Sequence, residues 1–282
     1  MEHESFKDEE VAKLMNDSFI NIKVDREEMP EIDHLYMTVC QAMTGRGGWP
    51  LTILMTPKKD PFFAGTYFPK DSSNGNPGLI QLIPSIVNAW STKRVEVNKT
   101  IDNIYKYLIE INTSTQGDKW DEIMIHDLYD KYKITFDSDF GGFGDSPKFP
   151  SPHNLIFLLR YSYLYGDAYA LKMVEKTLEQ MRLGGIFDHI GFGFHRYSTD
   201  KRWFLPHFEK MLYDQAMLSI AFLEAYQLTG KKTYAKTAKE IFTYVLRDMT
   251  DERGGFYSAE DADSDGEEGA FYLWRMDEII YL

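Results

Sequence analysis

The chain has 282 residues and a formal net charge of −13, from 31 Lys and Arg against 44 Asp and Glu, so its overall field repels a nucleic-acid backbone and nucleic acid is excluded as a partner. Hydrophobic residues make up 43 % and aromatics 15 %, which favours packed structure over disorder, and the length suits two folding units. No apolar run reaches the ~18 residues of a spanning helix, and the N-terminus lacks the basic-then-apolar pattern of a secretory signal. The expectation is a cytoplasmic protein with no membrane partner. Cys40 is the single cysteine, which rules out an intrachain disulfide, and its apolar neighbours predict a buried thiol rather than a nucleophile.

In chain order, residues 4–16 read as a helix and 19–24 as a strand ending at Asp25. Residues 30–43 are helical again, with Ile32, Leu35, Tyr36 and Val39 on one face. Gly47-Gly48-Trp49-Pro50 breaks the pattern, and the β-prone runs 51–55 and 62–68 flank a turn at 57–60, which predicts a hairpin. Residues 79–111 close the unit as helix, restarting after Pro84. The order helix, strand, helix, hairpin, helix matches an α/β thioredoxin-like fold lacking its first strand. Its sheet should then have an open edge beside 19–24. The polar stretch 112–117 separates this incomplete domain, residues 1–112, from an all-α domain, residues 117–282.

In the second domain the helices alternate in character. Residues 123–132 are amphipathic, 153–165 and 211–228 are apolar nearly all round, and Leu171, Val174, Leu178 and Met181 form a one-sided stripe. A second stripe follows at Tyr234, Ala238, Ile241, Phe242, Val245 and Met249. Helices that are apolar all round require burial and striped ones cover them, which describes the inner and outer rings of an (α/α) toroid. Short links at Gly166-Asp167 and Gly230-Lys231 alternate with long ones that open on Gly141-Gly142, Gly184-Gly185 and Gly254-Gly255. Antiparallel helices would gather the long loops at one end.

Several strings carry a family resemblance: Val24-Asp25-Arg26-Glu27-Glu28, Gly47-Gly48-Trp49-Pro50-Leu51-Thr52, Phe63-Ala64-Gly65-Thr66-Tyr67-Phe68-Pro69, Gly193-Phe194-His195-Arg196-Tyr197 and Pro206-His207-Phe208-Glu209-Lys210-Met211-Leu212-Tyr213-Asp214. Through them the whole chain resembles the thioredoxin-domain-containing family typified by spermatogenesis-associated protein 20. The resemblance implies a longer protein, with a thioredoxin-like head and a six-hairpin toroid similar to N-acylglucosamine and cellobiose 2-epimerases. It also implies a Cys-x-x-Cys element just before Met1, so this chain reads as an internal fragment without the redox pair and with only the N-terminal part of the toroid. Trp49-Pro50 fits the position where thioredoxin folds place a cis-proline beside the dithiol, which would leave at most a peptide-groove remnant.

The long loops bring Asp145, Lys148 and His153 together with Asp188, His189, His195, Arg196, Trp203, His207 and Glu209. Epimerisation at a sugar C2 needs one group to remove a proton and another to return it on the opposite face, work suited to histidines. On that reading His195, His207 and Glu209 are catalytic, and Arg196, Trp203, Asp188, His189 and His153 bind substrate, with Trp203 stacking on the ring. On the competing reading the loops plug the barrel and the histidines bond backbone. Asp261, Asp263, Asp265 and Gly266 imitate the start of a calcium loop, but its twelfth position is Tyr272, so an acidic turn is expected, with no metal and no cofactor. The expected function is carbohydrate-directed chemistry in the intact parent, this chain alone being inactive. The alternative is a thioredoxin-like peptide-binding or thiol-linked module with the toroid as scaffold.

Overall fold

The computed structural model describes residues 5–72, 77–113 and 121–280. It divides into two units, Met1–Asp118 and Lys119–Leu282. Glu4 of the first expected helix and 114–117 of the expected linker lie outside the described residues. The chain is mostly helical with small two-stranded sheets, and no helix among the described residues is long and apolar enough to cross a membrane.

In the first unit, helix α1 (Glu9–Ser18) starts at Asp8, whose carboxylate accepts the N–H groups of Glu10 and Val11 at 3.1 and 3.2 Å. That cap satisfies donors which the first turn leaves unpaired. Helix α2 (Pro30–Thr44) has proline in its first turn and ends on Gly45 in the left-handed region, and it buries Val39 and Cys40. Strands β1 (Thr52–Met55) and β2 (Pro61–Gly65) pair antiparallel, Thr52 opposite Gly65. Helices α3 (Leu79–Thr92) and α4 (Arg94–Asn112) complete the unit, with Val11, Phe68, Leu79 and Ile83 as a small core.

Three expectations are corrected here. Residues 19–24 form no strand; Ile20 and Ile22 are 93 % and 79 % exposed. Alternating apolar residues favour a strand only when another strand supplies its ladder, and among the described residues β1 and β2 are the whole sheet of this unit. The return strand stops at Gly65 because the Phe68 ring folds back over that glycine, where a Cβ would collide with it. The helical break falls at Lys93 (φ −122°, ψ 40°), not at Pro84, which lies inside α3. A proline removes one intrahelical bond, whereas the non-helical backbone of Lys93 ends the run.

The second unit contains α5 (Ile123–Thr135), α6 (Pro152–Tyr165), α7 (Ala168–Leu183), α8 (Leu212–Thr229), α9 (Lys232–Asp248) and the short α10 (Met276–Ile280). Helices α6 and α7 form one hairpin, α8 and α9 another, and α6 packs beside α8. The first hairpin turns on Gly166 at φ 67°, followed by Asp167, whose carboxylate caps α7 through Tyr169 and Ala170 at 2.8 Å each. The outer stripes are buried at Val174, Leu178, Met181, Tyr234 and Ile241, against Leu155, Leu158, Leu218 and Phe222 of the inner helices. The inner helices are not buried all round: α6 exposes Tyr163 and Leu164, and α8 exposes Ile220, Leu223 and Tyr226. Between the helices lie three ladders, β3 (Tyr197–Ser198) with β4 (Pro206–His207), β5 (Lys210–Met211) with β6 (Ala259–Glu260), and β7 (Asp263–Ser264) with β8 (Glu267–Glu268).

Candidate functional site

The long loops repeat one device. Each opens with an aspartate whose backbone N–H donates to a glycine carbonyl across a tight turn: Asp137 to Gly142, Asp188 to Gly193 and Asp251 to Gly255, at 3.0, 3.0 and 2.8 Å. In the first two, the outer carboxylate oxygen takes a buried lysine. Lys148 Nζ lies 2.7 Å from Asp137 and donates to Gly141 O at 2.9 Å; Lys210 Nζ lies 2.9 Å from Asp188 and donates to Phe192 O at 2.8 Å. Gly142 and Gly193 adopt φ +78° and +80°, and each lies under a ring of a later segment, Trp203 and Tyr244, that a Cβ would strike. Left-handed backbone and ring contact together demand glycine there. Burial raises the Asp188 carboxyl, but Lys210 and the N–H groups of Gly191 and Ile190 outweigh it and hold the group below the ordinary carboxylate range.

This device takes several expected site residues out of solvent. Trp203 is fully buried and its Nε1–H donates to Phe140 O at 2.9 Å, so its ring offers no free face to a sugar. Asp188 is committed to Lys210 and to its own turn. His189 bonds Gly184 O through Nε2 and Arg182 through Nδ1, both at 3.1 Å. His195 is 2 % exposed, and its Nδ1 donates to Phe208 O at 3.0 Å. Burial, assisted by Lys210, pushes its pKa down to about 4, so the ring is neutral at pH 7. His153 is exposed in the first turn of α6, and Asp145 is exposed in the preceding loop. In the first unit Trp49 is half exposed, donates to Asp33 Oδ1 at 2.8 Å and carries the Arg26 guanidinium over its ring at 4.1 Å; the Trp49–Pro50 bond is cis.

Three of the expected residues do converge. The β3–β4 ladder pairs Tyr197 with His207 and stacks their rings, with centroids 5.0 Å apart at 21°. Phe149 extends the stack at 4.8 Å. His207 Nδ1 lies 2.6 Å from Glu268 Oε1, and its Nε2 lies 3.9 Å from Glu209 Oε2. The same Glu209 oxygen accepts from Arg196 at 2.6 Å. With Nδ1–H held by Glu268, Nε2 is left as the proton acceptor. Sequence reasoning missed Tyr197, Glu268 and Asp214. Asp214 occupies the first turn of α8 at 7 % exposure, and its pKa is pushed up to about 7 by burial, with Arg196 opposing and Glu209 adding to the rise. The signal available was the cross-strand pairing of His207 with residue 197; Glu268, 61 residues from His207, could not be found from spacing. A shallow groove between α6 and α8, lined by Leu159, Arg160, Tyr163, Glu224, Gln227 and Leu228, belongs to the C-terminal halves of both helices, whereas the cluster belongs to the loops before α8.

Residues 1–109 match the family model described as a protein of unknown function, DUF255. Spermatogenesis-associated protein 20 of Mus musculus and of Homo sapiens are each 40 % identical over the whole of this chain, which spans 38 % of their length. Among solved structures, the chain is similar to cellobiose 2-epimerase from Bacillus thermoamylovorans B4167, 13 % identical, covering 54 % of this chain and 46 % of that one with a TM-score of 0.44. A D-mannose isomerase is 16 % identical, with 65 % and 46 % covered and a TM-score of 0.40. With 40 % identity sustained from end to end, the chain belongs to the family of spermatogenesis-associated protein 20.

Proposed function

We propose that this chain carries the opening hairpins of a carbohydrate-directed toroid in residues 117–282, preceded by a thioredoxin-like domain in residues 1–112 that lacks a cysteine pair. In the intact longer protein, the loop cluster would perform acid–base chemistry on a sugar. The observation that carries this reading is His207, oriented by Glu268, stacked on Tyr197 and facing Glu209. A base with a fixed proton acceptor beside a carboxylate and an aromatic stack suits removal of the proton next to a sugar carbonyl. His207 takes the role of base and Glu209 that of its partner, with Arg196 holding Glu209 in place. Because His195 is buried and bonded to backbone, it supports the cluster from behind rather than serving as the second acid or base.

A second reading has its own support. Burial of Trp203 and His195 against backbone groups favours a scaffold toroid serving a peptide-binding first domain. The two separate in a full-length relative incubated with reducing sugars in D₂O. Exchange at C2, lost when the histidine aligned with His207 becomes Ala while sugar binding persists, supports the first reading. Absence of exchange with every sugar, together with peptide binding by the first domain, supports the second.

A further inference from the structure

The β7–β8 hairpin, where the sequence imitates the start of a calcium loop, runs on into a segment that packs against the His207 cluster. Gly269 follows Glu268 and Phe208 follows His207, so two contacts lie side by side along one seam. In the first, His207 Nδ1 lies 2.6 Å from Glu268 Oε1. In the second, Gly269 is buried against the Phe208 ring, which a Cβ would strike, and its φ of +74° also favours glycine. Tyr272 completes the seat: its ring stacks on Phe208 at 5.5 Å and 10° and meets the His195 ring at 4.7 Å and 89°. The Gly269 N–H donates to Ala262 O at 2.8 Å and the Tyr272 N–H to Gly269 O at 2.9 Å, which ties residues 262–272 into one piece. The Glu268 side chain is 51 % exposed, and so open a pair contributes little by itself. The packing of Gly269 and Tyr272 on Phe208 is therefore what brings Glu268 to His207.

We propose that residues 262–272 form a strap that sets the tautomer of His207, with Gly269, Phe208 and Tyr272 as positioning residues and the seating of the strap as the control on the site. This rests on the acid–base reading of His207 above. A neutral imidazole carries one N–H, and the nitrogen without it is the one that accepts a proton. Two carboxylates compete for that N–H. Glu268 is within hydrogen-bond reach of Nδ1 at 2.6 Å, whereas Glu209 is beyond it, 3.9 Å from Nε2. Arg196 engages the same Glu209 oxygen at 2.6 Å, Tyr197 stacks on the His207 ring, and His195 turns its Nδ1 to Phe208 O. With the strap seated, Glu268 takes the Nδ1–H and leaves Nε2 free to accept a proton. With the strap lifted, Glu209 is the carboxylate left beside the ring. It draws the N–H to Nε2 and blocks the base at its working atom.

The test follows the imidazole nitrogens of the full chain, carrying isotope-labelled histidine, by nitrogen–proton correlation NMR at pH 8 with no sugar present. His207→Gln assigns the signal, and His189, whose Nε2–H donates to Gly184 O, is the control for folding. Wild-type His207 should show the Nδ1–H form in excess by about tenfold or more, as expected for a hydrogen bond to a charged group. Gly269→Ala, which lifts the strap, and Glu268→Ala, which removes the carboxylate, should each reverse that excess while His189 keeps its own form. Tyr272→Leu loosens the seat without a clash; it should shift the ratio the same way, and it carries the test if Gly269→Ala unfolds. Wild-type His207 in the Nε2–H form would overturn the proposal. So would an unchanged Nδ1–H excess in folded Gly269→Ala or Tyr272→Leu, even where Glu268→Ala shifts it. Because no sugar is present, these results stand apart from the carbohydrate reading, which the C2 exchange measurement decides.

Discussion

Asp214 and His195 should give the second unit two opposing pH dependences that nearly cancel in the wild-type chain. In the fold Asp214 titrates at about 7 instead of 3.8. Between those values the folded state holds a proton that the unfolded chain has released, so stability falls as pH rises through the window. By 1.36 kcal/mol per pKa unit, the charged carboxylate costs about 4 kcal/mol above pH 7. His195 titrates at about 4 in the fold instead of 6.5. Between those values the unfolded chain binds a proton that the folded state refuses, so stability falls as pH drops, by about 3 kcal/mol at pH 4. Asp214→Asn removes the first dependence. Relative to wild type, it should be of equal stability near pH 4 and more stable by up to about 4 kcal/mol at pH 8. His195→Gln can still donate toward Phe208 O, and it should gain on wild type only below pH 6.5. Native-state hydrogen exchange of α8 and α9 amides at pH 4, 5.5 and 8, with intrinsic rates corrected at each pH, reads this unit separately from the first. A wild-type-to-Asp214→Asn difference that stays constant across the three pH values would refute the burial argument for this carboxyl.

The loop repeat predicts that Lys210→Met strands the Asp188 carboxylate and costs about 3–5 kcal/mol, while Asp188→Asn/Lys210→Met recovers most of it; the same exchange measurement checks both, and Lys148→Met should behave alike through Asp137. Disulfide exchange needs an attacking and a resolving thiol, so this chain, with Cys40 alone and buried, should not accelerate insulin reduction by dithiothreitol above background; acceleration that disappears in Cys40→Ser would contradict this. The apolar residues exposed along α6 and α8, Tyr163, Leu164, Ile220 and Leu223 among them, should promote self-association. Light scattering during size exclusion should show Leu164→Lys/Leu223→Lys to be smaller than wild type, and a wild-type monomer at every concentration would count against the inference.

Several features were legible from local order alone. Helix positions followed from apolar spacing, the turns at Gly166-Asp167 and Gly230-Lys231 from glycine and capping chemistry, and the hairpin from two β-prone runs about a polar turn. Each depends on groups a few residues apart, where covalent geometry limits the alternatives. The misreading of 19–24 shows the boundary, because a strand is completed by a partner and no residue within the segment encodes one. The site divides in the same way. Clustered histidines, Arg196 and Glu209 drew attention to these loops, but residue type could not separate His207, held by a carboxylate and stacked on Tyr197, from His195, buried and bonded to backbone. Trp203 read as a sugar platform and is a buried cover for Gly142, while Asp214 read as the end of a motif and is a buried carboxyl whose pKa burial raises. Burial and hydrogen-bond partners, which set both ring availability and protonation, come from segments brought together only by the tertiary fold, such as Glu268 against His207 across 61 residues.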